Sequence, residues 1–212
     1  MMRPKHFQQK WMPGLRRKMR QPAMIFLAAL PLAGCISFGA KPPPSLLDLT
    51  STEQAAPGQT QDAATAKTIF IQTPSVPQAL STARVPVQAT PTSIAYIKDA
   101  QWVEPPQRLF ARLLADTMTA RSGRVVLDAG QAFGDNGARL SGELRNFGID
   151  AASSSAIVTF DAALVRAEGS KVEKQRFEAK VPVSRIDAAS AGRALNRGAN
   201  QVAAAVADWV GK

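Results

Sequence analysis

Apolar and polar positions repeat with two different periods along this chain, and the periods divide it into elements. "KTIFIQTP" at 67–74 alternates and ends in proline, which predicts a strand. An irregular stretch follows and leads into a short strand near Arg84–Gln88. "TSIAYIKD" at 92–99 alternates again, with Ile94, Tyr96 and Lys98 on one side and Ala95 and Ile97 on the other. The period then lengthens. Leu109, Phe110, Leu113, Leu114 and Met118 recur at helical spacing, Pro105 and Pro106 suit a first helical turn, and Gly123 supplies the stop. Val125–Leu127 reads as a strand, and a turn is expected at Asp135-Asn136-Gly137. The strand after it carries Leu140, Gly142 and Leu144 on one face and Arg139, Ser141, Glu143 and Arg145 on the other.

A hairpin is the strongest of these signals. Val158, Phe160, Ala162 and Leu164 alternate inward. A turn is expected around Glu168-Gly169-Ser170, and Phe177, Ala179, Val181 and Val183 return on the same face. The last 26 residues form a helix that Asp187 or Ser190 can cap, with Leu195, Val202, Val206 and Trp209 on one stripe. Three strands, a helix, four strands and a helix predict an α+β fold: a mostly antiparallel sheet covered by two main helices on one face. No internal repeat is visible.

The first 66 residues follow different rules. Residues 1–20 hold seven basic side chains and no acid, and an apolar run from Ala23 to Ala33 ends in Leu32-Ala33-Gly34-Cys35. A basic region, a short apolar region and small residues at the cut describe a secretory signal, and the run is too short to span a bilayer as a helix. Leu-Ala-Gly-Cys resembles the bacterial lipobox, in which the cysteine thiol is acylated before cleavage. Residues 1–34 are therefore read as a lipoprotein signal peptide and Cys35 as the lipidated first residue. Several acyl chains anchor firmly where one binds reversibly. Residues 35–66, rich in proline, alanine, threonine and glutamine, read as a linker with a short edge strand at Leu46, Leu47 and Leu49; the domain proper is 67–212.

That cut changes the electrostatic picture. The whole chain carries a formal charge of +10, but the part from Cys35 onward has 19 basic and 16 acidic residues, a net charge of about +3. A nucleic-acid partner would need a basic patch on the folded domain, so none is expected. The single histidine, His6, lies in the signal and the single cysteine is Cys35. Imidazole- and thiol-based catalysis and His/Cys metal sites are thereby excluded from the domain, and no cofactor or metal is expected. No Ser-x-x-Lys dyad, nucleophile elbow or phosphate loop occurs, so the chain is read as non-catalytic.

With these residues in view, the chain resembles the ABC-type transport auxiliary lipoprotein family. The likeness rests on Ile69–Pro74, on Arg84–Val87 and above all on "IAYIKDAQWVEPPQRLFARLLADTMTARSGRVV" at 94–126. In that block Tyr96, Trp102, Pro105 or Pro106, Leu109, Leu113, Leu114, Ser122 and Gly123 match the family pattern, and "ARLSGELRNF" at 138–147 continues it. Leu47-Asp48-Leu49 stands where members often carry Tyr-x-Leu. The resemblance implies an accessory lipoprotein of an Mce-type ABC lipid transport system. Its implied partners are an Mce-type substrate-binding protein, an ABC permease and ATPase, and the membrane through the lipid anchor. A homo-oligomer is compatible with it. Ile36, in place of the aspartate associated with inner-membrane retention, favours the periplasmic face of the outer membrane. Direct lipid binding and a structural or pilot role in another envelope machine stay open as alternatives.

Four side chains are candidates for partner contact. Tyr96 and Trp102 flank the first helix, either packed beneath it or anchoring a partner, and packing is the reading preferred. Arg108 and Arg112 lie on that helix, facing either solvent or an acidic partner or lipid headgroup.

Overall fold

The computed structural model describes residues 45–55, 58, 67–127, 137–167 and 171–211. Cys35, the signal segment and the two expected turn centres at 135–136 and 168–170 lie outside the described residues. Element order runs β1 (Thr68–Ile71), a 3-10 turn (Gln78–Leu80), β2 (Arg84–Thr90), β3 (Ser93–Gln101), α1 (Pro106–Ser122), β4 (Val125–Leu127), β5 (Ala138–Asp150), β6 (Ser155–Val165), β7 (Val172–Pro182) and α2 (Ala188–Gly211).

Seven strands form one mixed sheet. β5 is its spine. One side of β5 pairs with β6, and β6 pairs with β7, both antiparallel. The other side takes β1 along its first half and β2 at its far end, both parallel. β4 lies parallel outside β1, and β3 antiparallel outside β2. The expected mostly antiparallel sheet is a mixed one, with three parallel pairings that are short and three antiparallel pairings of which β5–β6 and β6–β7 are long. Alternation encodes which face a residue takes and says nothing about strand direction. The parallel pairs arise because long connections carry the chain back to the same edge of β5.

Two bulges reset the alternation. Leu144 stands opposite Phe160 and Asn146 opposite Thr159, so β5 holds one extra residue. The buried set accordingly passes from Leu140 and Leu144 to Phe147 and Ile149. In β3 the pairing slips between Tyr96 and Gln101, with Asp99 at φ 58°, and the slip lets Ile97 and Ala100 both turn inward at a spacing of three.

Each helix ends as its sequence requires. Gly123 takes φ 61° and its N–H donates to the Thr119 carbonyl. At α2 the Asp187 carboxylate accepts the Ser190 N–H at 2.8 Å, so Asp187 is the cap and Ser190 lies inside. On β6, Phe110 of α1 meets the Phe160 ring edge-on at 5.3 Å, while Gly198 of α2 approaches Val158, two positions along on the same side. A Cβ at Gly198 would sit 3.1 Å from Val158, so the small residue sets the helix-to-sheet distance.

Residues 45–55, placed in the linker by composition, lie on the domain. Leu47 N–H donates to Gln101 O at 2.7 Å and Val103 N–H to Leu47 O at 2.9 Å, which makes a parallel bridge with Trp102. Leu47 packs into the notch left by Gly192, and Leu49 is buried. The arm then follows both helices. Asn200 accepts the Thr52 N–H at 2.8 Å and donates to Thr50 O at 2.9 Å; Ser51 and Thr117 hydroxyls are 3.2 Å apart; Glu53 pairs with Arg121, which also reaches Asp208. Composition misjudged this stretch because three leucines spaced among polar residues hide a surface that only α2 completes. Replacing Asn200 by Ala removes both bonds and is expected to cost about 1 kcal/mol and to expose the arm first. Limited proteolysis should then cut near residues 50–55 sooner than in the parent protein, while an unchanged cleavage rate there would show that the leucines and the contacts of Ser51 and Glu53 hold the arm without Asn200.

Candidate functional site

The candidate residues do not form one cluster. Trp102 is 1% exposed, and its ring tilts against Phe147 at 5.4 Å, so this side chain serves the core. Its indole N–H has no partner among the described residues. Tyr96 is half-buried on β3; the Arg84 guanidinium lies 4.0 Å above its ring, and its hydroxyl reaches Ala79 O at 3.4 Å. Arg108 and Arg112 are exposed on the first turns of α1, and both pair with Glu104, Arg108 at 3.0 Å. Glu104 therefore neutralises much of the pair's charge. Exposed pairs of this kind add little stability.

Tyr96 borders a feature that the strand pattern left unread. β1 and β2 lie along the same edge of β5, but β5 has pairing partners there only at residues 138–140, 143 and 149–150. Between them the chain arcs outward through the 3-10 turn. The gap is a groove of about 450 Å³, with Pro77, Ala79, Pro86, Ile94 and Ile157 as its apolar lining and Arg145, Gln88 and Asp150 as polar members. Such a volume lies within the range of small-ligand clefts. Pro77, Pro86 and an isoleucine on the polar side of β3 were its traces in the sequence. None has a periodicity that marks a groove.

Beside the groove, the outer side of β5–β7 is a charged lattice. Arg176 Nε donates to Asp161 at 2.6 Å and Arg145 approaches the same carboxylate at 3.5 Å. The Arg176 bond chiefly holds the Asp161 carboxyl below the usual carboxylate range. At the other end of β6, Arg166 grips Glu173 with two bonds and lowers its carboxyl likewise. Arg166 and Arg124 both donate to Val210 O at 3.3 Å, closing the C-terminal end of α2. Burial first, and then the nearby Arg166 charge, pulls the Arg124 guanidinium down from its ordinary value. Among the described residues no group of three or more His, Cys, Asp or Glu converges as a metal site.

These shifts fix the sign of the acid response. Asp161, Glu173 and the helix-capping Asp187 all titrate lower in the folded protein than in the unfolded chain. Their stabilisation is fully present above the unfolded carboxylate values of about 4 and is lost as pH falls through the folded values. Asp116, raised by burial, works the other way. Asp150, lowered chiefly by its bond from the Ser153 hydroxyl, makes four against one, which predicts a Tm that holds between pH 7 and 5 and falls below about pH 4, measured by circular dichroism. A Tm that rises on acidification would overturn the assignment of these pairs as stabilising.

Among the described residues the geometry contains a docked arm, a groove and a charged face. No curated protein matches the chain. Protein XCC0632 from Xanthomonas campestris superposes with a TM-score of 0.65 at 19% identity, covering 78% of this chain and 94% of that one. A crystal structure titled only as an uncharacterized protein superposes with a TM-score of 0.60 at 14% identity, covering 68% and 92%. At such identities the likeness shows the fold alone. The sequence pattern of one family matches residues 48–207, from the docked arm almost to the end of α2. Three-quarters of the chain lies within that match, and the chain belongs to the family of ABC-type transport auxiliary lipoprotein components.

Proposed function

We propose that this chain is a non-catalytic lipoprotein subunit that holds periplasmic parts of an Mce-type ABC lipid transport system at the outer membrane. Membership in the auxiliary family, joined to Leu-Ala-Gly-Cys at 32–35, carries the reading. An acylated Cys35 supplies the anchor and the domain supplies a docking body. The domain has what such a body requires: a buried core running from Leu49 to Val210 and helix ends fixed by a carboxylate and two arginines. Among the described residues no helix is long and apolar enough to cross a membrane.

Affinity purification of the tagged lipoprotein from detergent-solubilised envelope tests this. The expected result is co-purification of an Mce-type protein with its permease and ATPase. Recovery of none of these would sink the proposal. Phospholipid retained at one per chain, without protein partners, would instead favour direct lipid binding, for which the groove beside the 3-10 turn is the place.

A further inference from the structure

Three strands edge the sheet, the short β4 outside β1 and the two long ones, β7 and β3, and the long edges are built differently. β7 closes one side, and Lys174, Arg176, Glu178 and Lys180 project from it as an exposed charged row. Charge along an edge strand deters pairing with foreign strands. β3 closes the β2 end of the other side, with Ser93, Ile94, Ala95, Lys98 and Asp99 exposed and, among the described residues, no ladder partner outside it up to Gln101, where Leu47 joins. Of the five large apolar side chains that stand out among the described residues, three follow this edge: Ile94 at 50% exposure, Leu46 at 49% and Val103 at 43%. The other two, Val172 and Ile186, flank the ends of β7.

The direction of the arm adds a second observation. Leu47 pairs with Trp102 in parallel, so Ser45 and Leu46 lie on the outer side of the C-terminal end of β3. Leu47 and Trp102 turn inward together, which puts Leu46 and Val103 diagonally on the outer side. Only nine residues separate Ser45 from Cys35. Ten peptide steps span no more than about 35 Å. A nine-residue strand such as β3 is about 30 Å long. A membrane held at Cys35 therefore lies within about one β3 length of Ser45, a residue next to the apolar edge.

We propose that the β3 edge of the domain, with Leu46, Ile94 and Val103, rests on the surface of the bilayer that holds the acyl chains. The proposal rests on acylation of Cys35. Apolar side chains of a peripheral protein settle about 5–10 Å into the headgroup boundary. A short tether makes that contact effectively intramolecular, so three side chains suffice where an untethered domain would need many more.

Cys35 is the sole native cysteine, so an introduced thiol is a unique label site once Cys35 carries lipid. The lipidated protein is prepared as L46C, I94C, V103C, V172C and I186C, each labelled with the fluorophore NBD. Each is reconstituted into phosphatidylethanolamine–phosphatidylglycerol vesicles with and without nitroxide lipid. NBD at 46, 94 and 103 should be quenched by about twofold or more, and NBD at 172 and 186 should be unaffected. Equal quenching at both edges, quenching at 172 and 186 only, or none anywhere in protein that floats with the vesicles would overturn the assignment of the edge. Protein that fails to float would show instead that the anchor itself is absent, and the inference would fall with it.

Discussion

Phe160→Ala should lower the unfolding free energy by about 3–5 kcal/mol, among the largest losses expected of a single truncation here. Phe160 is 1% exposed at the middle of β6 and meets Phe110 of α1 edge-on. Removing the ring leaves a void bounded by β5, β6 and α1. None of these can collapse without breaking a ladder that runs the length of β5 and β6. Domains of this size keep about 5–15 kcal/mol in all, so the variant should sit near its unfolding limit at 37 °C. Urea unfolding followed by circular dichroism measures the change. A loss under about 1 kcal/mol would mean that the site refills and that Phe160 is not a keystone between helix and sheet.

Gly142→Ala should cost nearly as much by the opposite mechanism, about 2–3 kcal/mol of overpacking. A Cβ at 142 would meet the Asp161 carbonyl oxygen within any sterically allowed separation, and the Phe160 ring at 2.7 Å. The ring could rotate away, but the carbonyl belongs to the paired strand and cannot. The double variant distinguishes the two clashes. With Phe160 already Ala, only the backbone contact remains, so the two losses should sum to less than additivity by about 1 kcal/mol in the same urea titration. Full additivity would show that the ring never rests on Gly142.

Much of this arrangement was legible in the residues. The helical stripe from Leu109 to Met118 and the paired alternations of Val158–Leu164 and Phe177–Val183 are buried as their periods require. A period reports which side of an element is apolar, and burial follows from that. Gly123 and Asp187 were readable as helix ends because a left-handed residue and a short carboxylate each solve a local backbone problem. Phe147 and Ile149 were not readable in the same way. They belong to the inner face only because an extra residue at Arg145–Asn146 reverses the parity of β5, and a bulge forms only when a partner strand exists to be slipped against.

Trp102 and the arm make the same point for the site. An aromatic residue before a helix suits either a core or an interface, and the choice fell to Phe147, 45 positions away. Leu47 and Leu49 look like a patch in a linker until Gly192 and Asn200 of α2 receive them. The groove next to Tyr96 exists because two parallel strands share one edge of β5 without filling it, which no local pattern records.

By itself the sequence determined the order of strands and helices, the faces they bury, the helix caps, the family and the scarcity of chemistry around one cysteine. These are properties of neighbours along the chain, set by side-chain period and backbone preference. Only the tertiary structure decided strand direction, the two bulges, the docking of residues 45–55, the groove and the contrast between the β3 and β7 edges. Each of those depends on which distant segments share an edge, and the free energy that selects them resides in packing between elements.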